Sequence, residues 1–272
     1  MADLDSVEST LFIPLQGRVY CSRNFPDILR DDRALELAAT LDPALLDWGG
    51  QSQYALMASA VRAHNVDHFV ADFLARHPTG AVVSLGCGLE TAFWRDDNGS
   101  ATFFEVDLPD VIDLRRRTLG EPARDLLVAG SVFEDAWAQR VRASHPGPYL
   151  LVAAGLFHYF DRRQVLHLMD GLALFGTCEL TFDALNRRGM RRIGGYLCQL
   201  GHEDVTMSFS VDDARELTAE LSVPARVLDD LPYYSLVGDR HGLSPVTRAS
   251  FAVSDRLGML RMIRLEIGGT VR

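Results

Sequence analysis

The chain reads as a doubly wound α/β protein, a largely parallel sheet between helices, preceded by a helical segment. Three observations predict this. Five short apolar runs alternate with helix-length segments between residues 81 and 182, the pattern of strands joined by helical crossovers. The first run, Val82-Val83-Ser84-Leu85, enters a glycine turn, Gly86-Cys87-Gly88. The second, Phe103-Phe104-Glu105-Val106-Asp107, ends in carboxylates 19 and 21 residues after Gly86. Strand, glycine turn, helix and acid-tipped strand in that order form a nucleotide-binding unit.

The elements follow in order. Residues 1–20 mix polar and apolar character, and Phe12-Ile13-Pro14-Leu15 is expected to dock on the body of the protein. Asp31–Leu46 is predicted helical from Leu35, Leu37, Ala38 and Leu41, with Asp42-Pro43 as a break. Ser52–Arg76 is a second helix, with Tyr54, Met57, Val61, Phe69 and Phe73 on its apolar side, stopping before His77-Pro78. Strands are predicted at Ala81–Leu85, Thr102–Val106, Leu126–Ala129, Tyr149–Ala154 and Glu179–Phe182. Helices at Val111–Leu119, Glu134–Ala143 and Arg162–Leu174 separate them. Continuous apolar strands are buried on both faces, and a ligand then sits at their carboxyl ends. Past residue 183 come a basic stretch, Asn186 to Arg192, and a helix, Val211–Leu221. Val227 with Tyr233–Val237 suits a sixth strand and Leu260–Ile267 a seventh. The predicted organisation is a helical lid or cap over 1–78 and an α/β domain over 79–272, with a substrate-side insert near 186–222.

Composition narrows the function classes. The 272 residues fit one large α/β domain, and 47% hydrophobic content supports a sizeable core. A net charge of −10 argues against a nucleic-acid partner, since phosphate contacts need a basic surface. Arginine supplies every fixed side-chain cation, because the chain has no lysine. The sequence has no apolar run near 20 residues, and its acidic start lacks the layout of a signal peptide; these features predict a cytoplasmic protein with no membrane partner. Cys21, Cys87, Cys178 and Cys198 show no metal spacing, so no metal is expected.

In the glycine turn, Gly86 and Gly88 lack Cβ and allow a sharp turn and close approach to a ligand. A carboxylate at the end of the next strand accepts both hydroxyl hydrogens of a ribose. The third glycine of the dinucleotide pattern would fall at Thr91. Its absence disfavours NAD(P) and favours S-adenosylmethionine (SAM), which has no pyrophosphate to bind.

The separated segments Glu8–Leu15, Arg30-Asp31-Asp32-Arg33-Ala34, Arg62 with Asp67, and Leu85–Thr91 occur in one order with three later ones. Those are Glu105–Pro109, Ala129-Gly130-Ser131-Val132 and Val152–Tyr159, the last containing Ala154-Gly155 and His158. In this set the chain resembles the leucine carboxyl methyltransferase family, most closely its bacterial branch of polyketide O-methyltransferases, over roughly residues 8–185. The resemblance implies a class I SAM-dependent methyltransferase fold: a Rossmann-like, seven-stranded, mostly parallel sheet with an N-terminal helical lid. It also implies that Arg62 holds the methionine carboxylate, that Gly86 and Gly88 line methionine and ribose, and that Asp107 binds the ribose hydroxyls. Ser131 and Val132 would sit at the adenine. The family usually carries a glutamate where this chain has Ala154, near the methionine amino group or the transferred methyl. Alanine can neither accept a hydrogen bond there nor offset the sulfonium charge.

The expected reaction is O-methylation of a small hydrophobic metabolite, a carboxylate or a phenol or enol of polyketide type. A carboxylate needs no general base, whereas a phenol or enol does. His158, just past the fourth strand, is the first candidate, with Tyr159 beside it. Tyr196 and His202 in the insert, and Tyr20 and Arg23 near the start, are candidate substrate contacts, and a surface role fits Arg23 equally well. Two other functions fit the same residues: a SAM-binding cyclase or isomerase that transfers no methyl, and a non-catalytic relic of the fold. The sequence leaves the oligomeric state open.

Overall fold

The structure, a computed structural model, describes residues 4–46, 50–192 and 207–269. Seven strands form one sheet: β1 (Ala81–Leu85), β2 (Thr102–Asp107), β3 (Asp125–Ala129), β4 (Tyr149–Ala153), β5 (Cys178–Leu185), β6 (Ala225–Pro232) and β7 (Leu260–Ile267). Their order is β3-β2-β1-β4-β5-β7-β6. The first five run parallel, and β7 runs antiparallel to both β5 and β6. This is the class I methyltransferase sheet. The chain reverses direction across the sheet between β1 and β4, so the crevice opens at the carboxyl ends of those strands.

Alternation along each strand explains why the parallel strands read as unbroken apolar runs. Val82, Phe103, Leu150 and Met262 pack in one core on one face, with α3 (Gln53–Arg76). Their neighbours Val83, Phe104, Leu151 and Ile263 pack in another, with α6 (Asp135–Ser144), α7 (Arg162–Gly171) and α8 (Ala214–Ala219). Successive side chains point to opposite faces, so burying both faces demands apolar residues at every position.

Two parts of the chain fold differently from their sequence reading. The N-terminal segment is a long helix, α1 (Leu4–Asn24), with Pro14 inside it. The proline hides the helical pattern in the sequence. The helix persists because it packs along α3 at Gly17, where a Cβ would come within 2.5 Å of the Leu56 carbonyl oxygen. The sixth strand is Ala225–Pro232, and Tyr233–Val237 lies beyond it in a turn. This edge strand is polar because one side pairs only with β7, through Arg226–Glu266, Arg261–Asp230 and Arg264–Asp229. The aromatic pair that suggested a strand turns inward instead; Tyr234 stacks on Phe251 with centroids 3.8 Å apart. The first predicted helix is divided where the sequence reading places its break, at Asp42-Pro43, into α2 (Asp32–Thr40) and a 3-10 turn over Pro43–Leu46.

A buried carboxylate ties these layers together at the glycine turn. Asp31 is fully buried just before α2, and its Oδ1 caps that helix by accepting from the Ala34 N–H at 2.8 Å. Its Oδ2 accepts from Arg18 of α1 at 3.0 Å, from Arg95 of α4 (Ala92–Asp96) at 2.9 Å, and from the Thr91 hydroxyl. Arg18 also reaches the Leu89 carbonyl at 2.6 Å and Glu90 at 3.1 Å, and Arg95 pairs with Asp67 of α3. Removing one partner from such a network leaves buried charges uncompensated. Asp31→Ala should therefore cost about 3–5 kcal/mol, measured by chemical denaturation; a loss below about 1 kcal/mol would mean that the network is solvated and weak.

Candidate active site

A cavity of about 1140 Å³ opens over the carboxyl ends of β1, β2 and β4. Its floor is the turn after β1, where Gly86 and Gly88 both take positive φ, +64° and +49°. Only glycine adopts these angles without strain. Asp107, at the tip of β2, reaches across this turn. Its Oδ2 accepts from the Gly88 N–H and its Oδ1 from the Leu108 N–H, both at 2.8 Å. Burial pushes the Asp107 carboxyl up and these two N–H groups pull it back, with a net rise. Each oxygen keeps a further lone pair for a hydroxyl donor, and Asp107 lines the cavity.

Glu105, two residues earlier on the same face of β2, serves the turn from below. It is fully buried with Asp125 around Arg115 of α5 (Pro109–Thr118), at 3.2 Å and 3.6 Å. Arg115 in turn donates to the Gly88 and Glu90 carbonyls. Glu105 therefore braces the turn, and Asp107 presents itself to a ligand. Cys87, between the two glycines, is buried, and burial pushes its thiol well up.

The other side of the crevice is organised by Asp183 on β5, a residue that the sequence reading missed. Asp183 is buried, and its Oδ2 accepts from Arg62 Nε of α3 at 3.0 Å and faces His158 Nε2 at 3.1 Å. Its Oδ1 accepts from the Gly155 N–H at 2.6 Å. Burial alone would raise this carboxyl, but the charges of Arg62 and His158 and the three hydrogen bonds outweigh it and hold it well below the usual range. An ionised Asp183 accepts from Nε2–H of His158, which in the neutral imidazole places the lone pair on Nδ1. That Nδ1 is buried and has no hydrogen-bond partner among the described residues. The signal the sequence carried for it was a carboxylate directly after the predicted strand Glu179–Phe182.

The register explains Ala154. Ala153 pairs with Phe182, so the next residues, Ala154 and Asp183, lie side by side at the strand ends. A carboxylate is thus present one strand over, with Oδ2 engaged by Arg62 and His158 and Oδ1 bonded to the Gly155 N–H. Gly155 has φ +71°, and a Cβ there would lie 2.7 Å from Nη1 of Arg62. The guanidinium rests directly on this glycine.

The structure brings Arg62, Gly86, Gly88, Asp107, Ala154, His158 and Tyr159 together around the cavity. His158 is buried and Tyr159 is 49% exposed at the rim. Ser131 and Val132 stand on the loop after β3 and do not line the cavity. The Ser131 hydroxyl accepts from the Phe133 N–H, and the Val132 carbonyl accepts from the Trp137 indole. Tyr20 and Arg23 stand apart from this group. Neither lines the cavity; Arg23 is exposed at the end of α1, and the Tyr20 hydroxyl accepts from Gln53 at 3.2 Å. The helical phase of α1 turns its inner face, with Arg18, toward the glycine turn and these two residues away from it. Tyr196 and His202 lie outside the described residues.

This sheet, its glycine turn and the acid-tipped second strand define a class I methyltransferase architecture. The chain belongs to the leucine carboxyl methyltransferase family, whose model matches residues 22–173. It is 32% identical over 183 residues to the tetracenomycin polyketide synthesis O-methyltransferase TcmP of Streptomyces glaucescens, covering 63% of this chain and 66% of that one. The chain thus spans a little less than two thirds of that relative. Among solved structures it is similar to a DUF574 family protein of Streptomyces avermitilis, at a TM-score of 0.61 and 10% identity over 94% and 97% of the two chains. It is similar also to the magnesium protoporphyrin IX methyltransferase of Synechocystis, solved with bound S-adenosylhomocysteine, at a TM-score of 0.50, 12% identity and 93% and 97% coverage.

The buried Glu105 gives a signed pH dependence. Burial raises it most, the nearby Asp125 and Glu90 add to this, and Arg115 only partly opposes them, leaving it pushed up to about 8. The folded chain then binds a proton that the unfolded chain has released, so stability falls as pH rises from the ordinary carboxylate range toward that value. Glu105→Gln is neutral throughout, and its stability relative to the wild type should rise between about pH 5 and about pH 8. Urea denaturation at several pH values checks this; a pH-independent difference would overturn it.

Proposed function

We propose that the chain is a SAM-dependent O-methyltransferase acting on a small hydrophobic metabolite with a phenolic or enolic hydroxyl. The observation that carries the reading is the Asp107 carboxylate held across the Gly86–Gly88 turn at the mouth of a cavity that also contains Arg62 and His158. Family membership supports it, and so does the name of TcmP for the substrate type.

The residues fit this cofactor. Asp107 would take the ribose hydroxyls through its remaining lone pairs. The glycine turn leaves the backbone open to close approach, and the Gly155 surface, held clear of Cβ, puts the Arg62 guanidinium beside the same space. Bound SAM supplies an electrophilic methyl group on a sulfonium. The protein's part is to orient the acceptor, exclude water and remove a proton. His158, held by Asp183 and lining the cavity, is the candidate for the last task. Asp183 is then a positioning residue, and its charge is balanced by Arg62. The helix α1, latched to the glycine turn through Arg18, is the lid of this reading.

Titration calorimetry with SAM tests the cofactor assignment. Asp107→Asn should weaken binding about 10- to 100-fold, the effect of losing hydrogen bonds to a charged group. Absence of SAM binding by the wild type at millimolar concentration would sink the reading. Methyl-labelled SAM with a panel of polyketide-like phenols and carboxylates then tests the acceptor. His158→Asn, which keeps a donor for Asp183, should lose about 100-fold or more in kcat on a phenol with SAM affinity unchanged. Turnover without label transfer would favour the cyclase reading.

A further inference from the structure

Three residues on one face of α3 meet a single tyrosine. Ala58, Arg62 and Asn65 recur at four- and three-residue spacing, which sets them on the same side of the helix. Tyr233, the first residue after β6, is fully buried against that side and lines the cavity with Arg62. Its hydroxyl donates to the Ala58 carbonyl at 2.8 Å, and its own carbonyl accepts from Asn65 Nδ2 at 2.8 Å. A phenol has one hydrogen, and Ala58 takes it, so the oxygen meets any further polar neighbour as an acceptor. That neighbour is the Arg62 guanidinium, which hydrogen-bonds to it. Burial raises the phenol and outweighs the charge of Arg62, so Tyr233 stays protonated and neutral.

The guanidinium is therefore held from three directions. Asp183 accepts from Nε at 3.0 Å, Tyr233 accepts from the fork, and the Gly155 backbone lies so close to Nη1 that a Cβ there would clash. Asp183 alone would leave the guanidinium free to swing about the Nε–H bond. A second hydrogen bond removes that freedom, and an arginine side chain otherwise keeps much rotamer entropy. The remaining N–H groups of the fork open on the cavity, where a planar anion can be taken in a fixed direction. Tyr233 and Asp183 both lie beyond residues 22–173 matched by the family model, so the hold on Arg62 comes from outside that match.

We propose that Tyr233 is the positioning residue of Arg62, fixing the guanidinium so that the open edge of its fork receives a ligand carboxylate. Naming that group as the methionine carboxylate of SAM rests on the cofactor reading above; the hold itself does not. Tyr233 touches Arg62 and acts through it.

Two ligands that share adenine and ribose test this. S-adenosylhomocysteine carries the carboxylate and methylthioadenosine does not, and each is titrated by calorimetry into the full chain. Tyr233→Phe, which removes one oxygen atom, should weaken S-adenosylhomocysteine about tenfold and methylthioadenosine by less than about twofold. In an Arg62→Ala background the same substitution should change neither, since nothing is left to position. Asn65→Ala is the structural control. It cuts the other tie between Tyr233 and α3, and should leave the ratio of the two affinities within about twofold of the wild type. Equal weakening of both ligands by Tyr233→Phe, an undiminished effect in the Arg62→Ala background, or equal affinity of the wild type for both ligands would each overturn the proposal. Arginine side-chain NMR of the ligand-free wild type checks the hold with Tyr233 in place. A held guanidinium gives separate signals for its two Nη groups; a single averaged Arg62 signal, assigned by its loss in Arg62→Lys, would overturn the hold. If the wild type binds neither ligand, the cofactor reading fails, and separate Nη signals would leave the hold of Tyr233 on Arg62 standing.

Discussion

One buried carboxylate, Asp183, sets the geometry of the crevice. A charge with no access to water persists only if donors surround it, and here three donors come from three parts of the chain. Arg62 arrives from α3, His158 from the turn after β4, and the Gly155 N–H from the strand end itself. The need to compensate Asp183 therefore fixes where the helix crosses the sheet, which imidazole nitrogen carries the proton, and why residue 155 has no side chain. Replace the carboxylate with an apolar group and Arg62 becomes the uncompensated charge. The functional groups on this side of the cavity are placed by electrostatic necessity, not by packing alone.

The opposite side follows the same logic with different residues. The glycine turn is gripped by Asp107 at an N–H, by Arg18 at the Leu89 carbonyl, and by Arg115 at the Gly88 and Glu90 carbonyls. Arginine suits this task because its planar fork serves a carboxylate and a carbonyl at once, in directions that are fixed before binding. In a chain without lysine every such bridge is built this way. A turn held from both sides presents its backbone to a ligand already ordered, so less conformational entropy is lost on binding.

Much of this was legible in the sequence. The parallel strands were, because burial on both faces forces continuous apolar runs, and Gly86, Gly88 and Asp107 were, because a tight turn and a strand tip impose local requirements. The edge strand Ala225–Pro232 was not: half its surface meets water and its partners are charged, so it carries no apolar run. Nor was α1, whose inner face holds Gln16 and Arg18 among its apolar residues and so blurs the helical period. Glu105 and Asp107 are alike in chemistry; the resemblance assigns the ribose to Asp107, and Arg115 beneath Glu105 gives a physical reason for the difference. Tyr20 and Arg23 illustrate the converse, residues of suitable chemistry turned away by the phase of a helix.

The sequence by itself determined the sheet, the glycine turn and the acid that crosses it, because each depends on neighbours within a few residues or on a repeating local pattern. Only the tertiary structure decided that Asp183, 121 residues from Arg62, is its partner, that Asp31 joins α1 to α4, and that the helix Pro245–Arg256 completes the cavity. Those choices rest on compensating buried charge and covering apolar surface between elements distant in the chain, and neither requirement leaves a local signature.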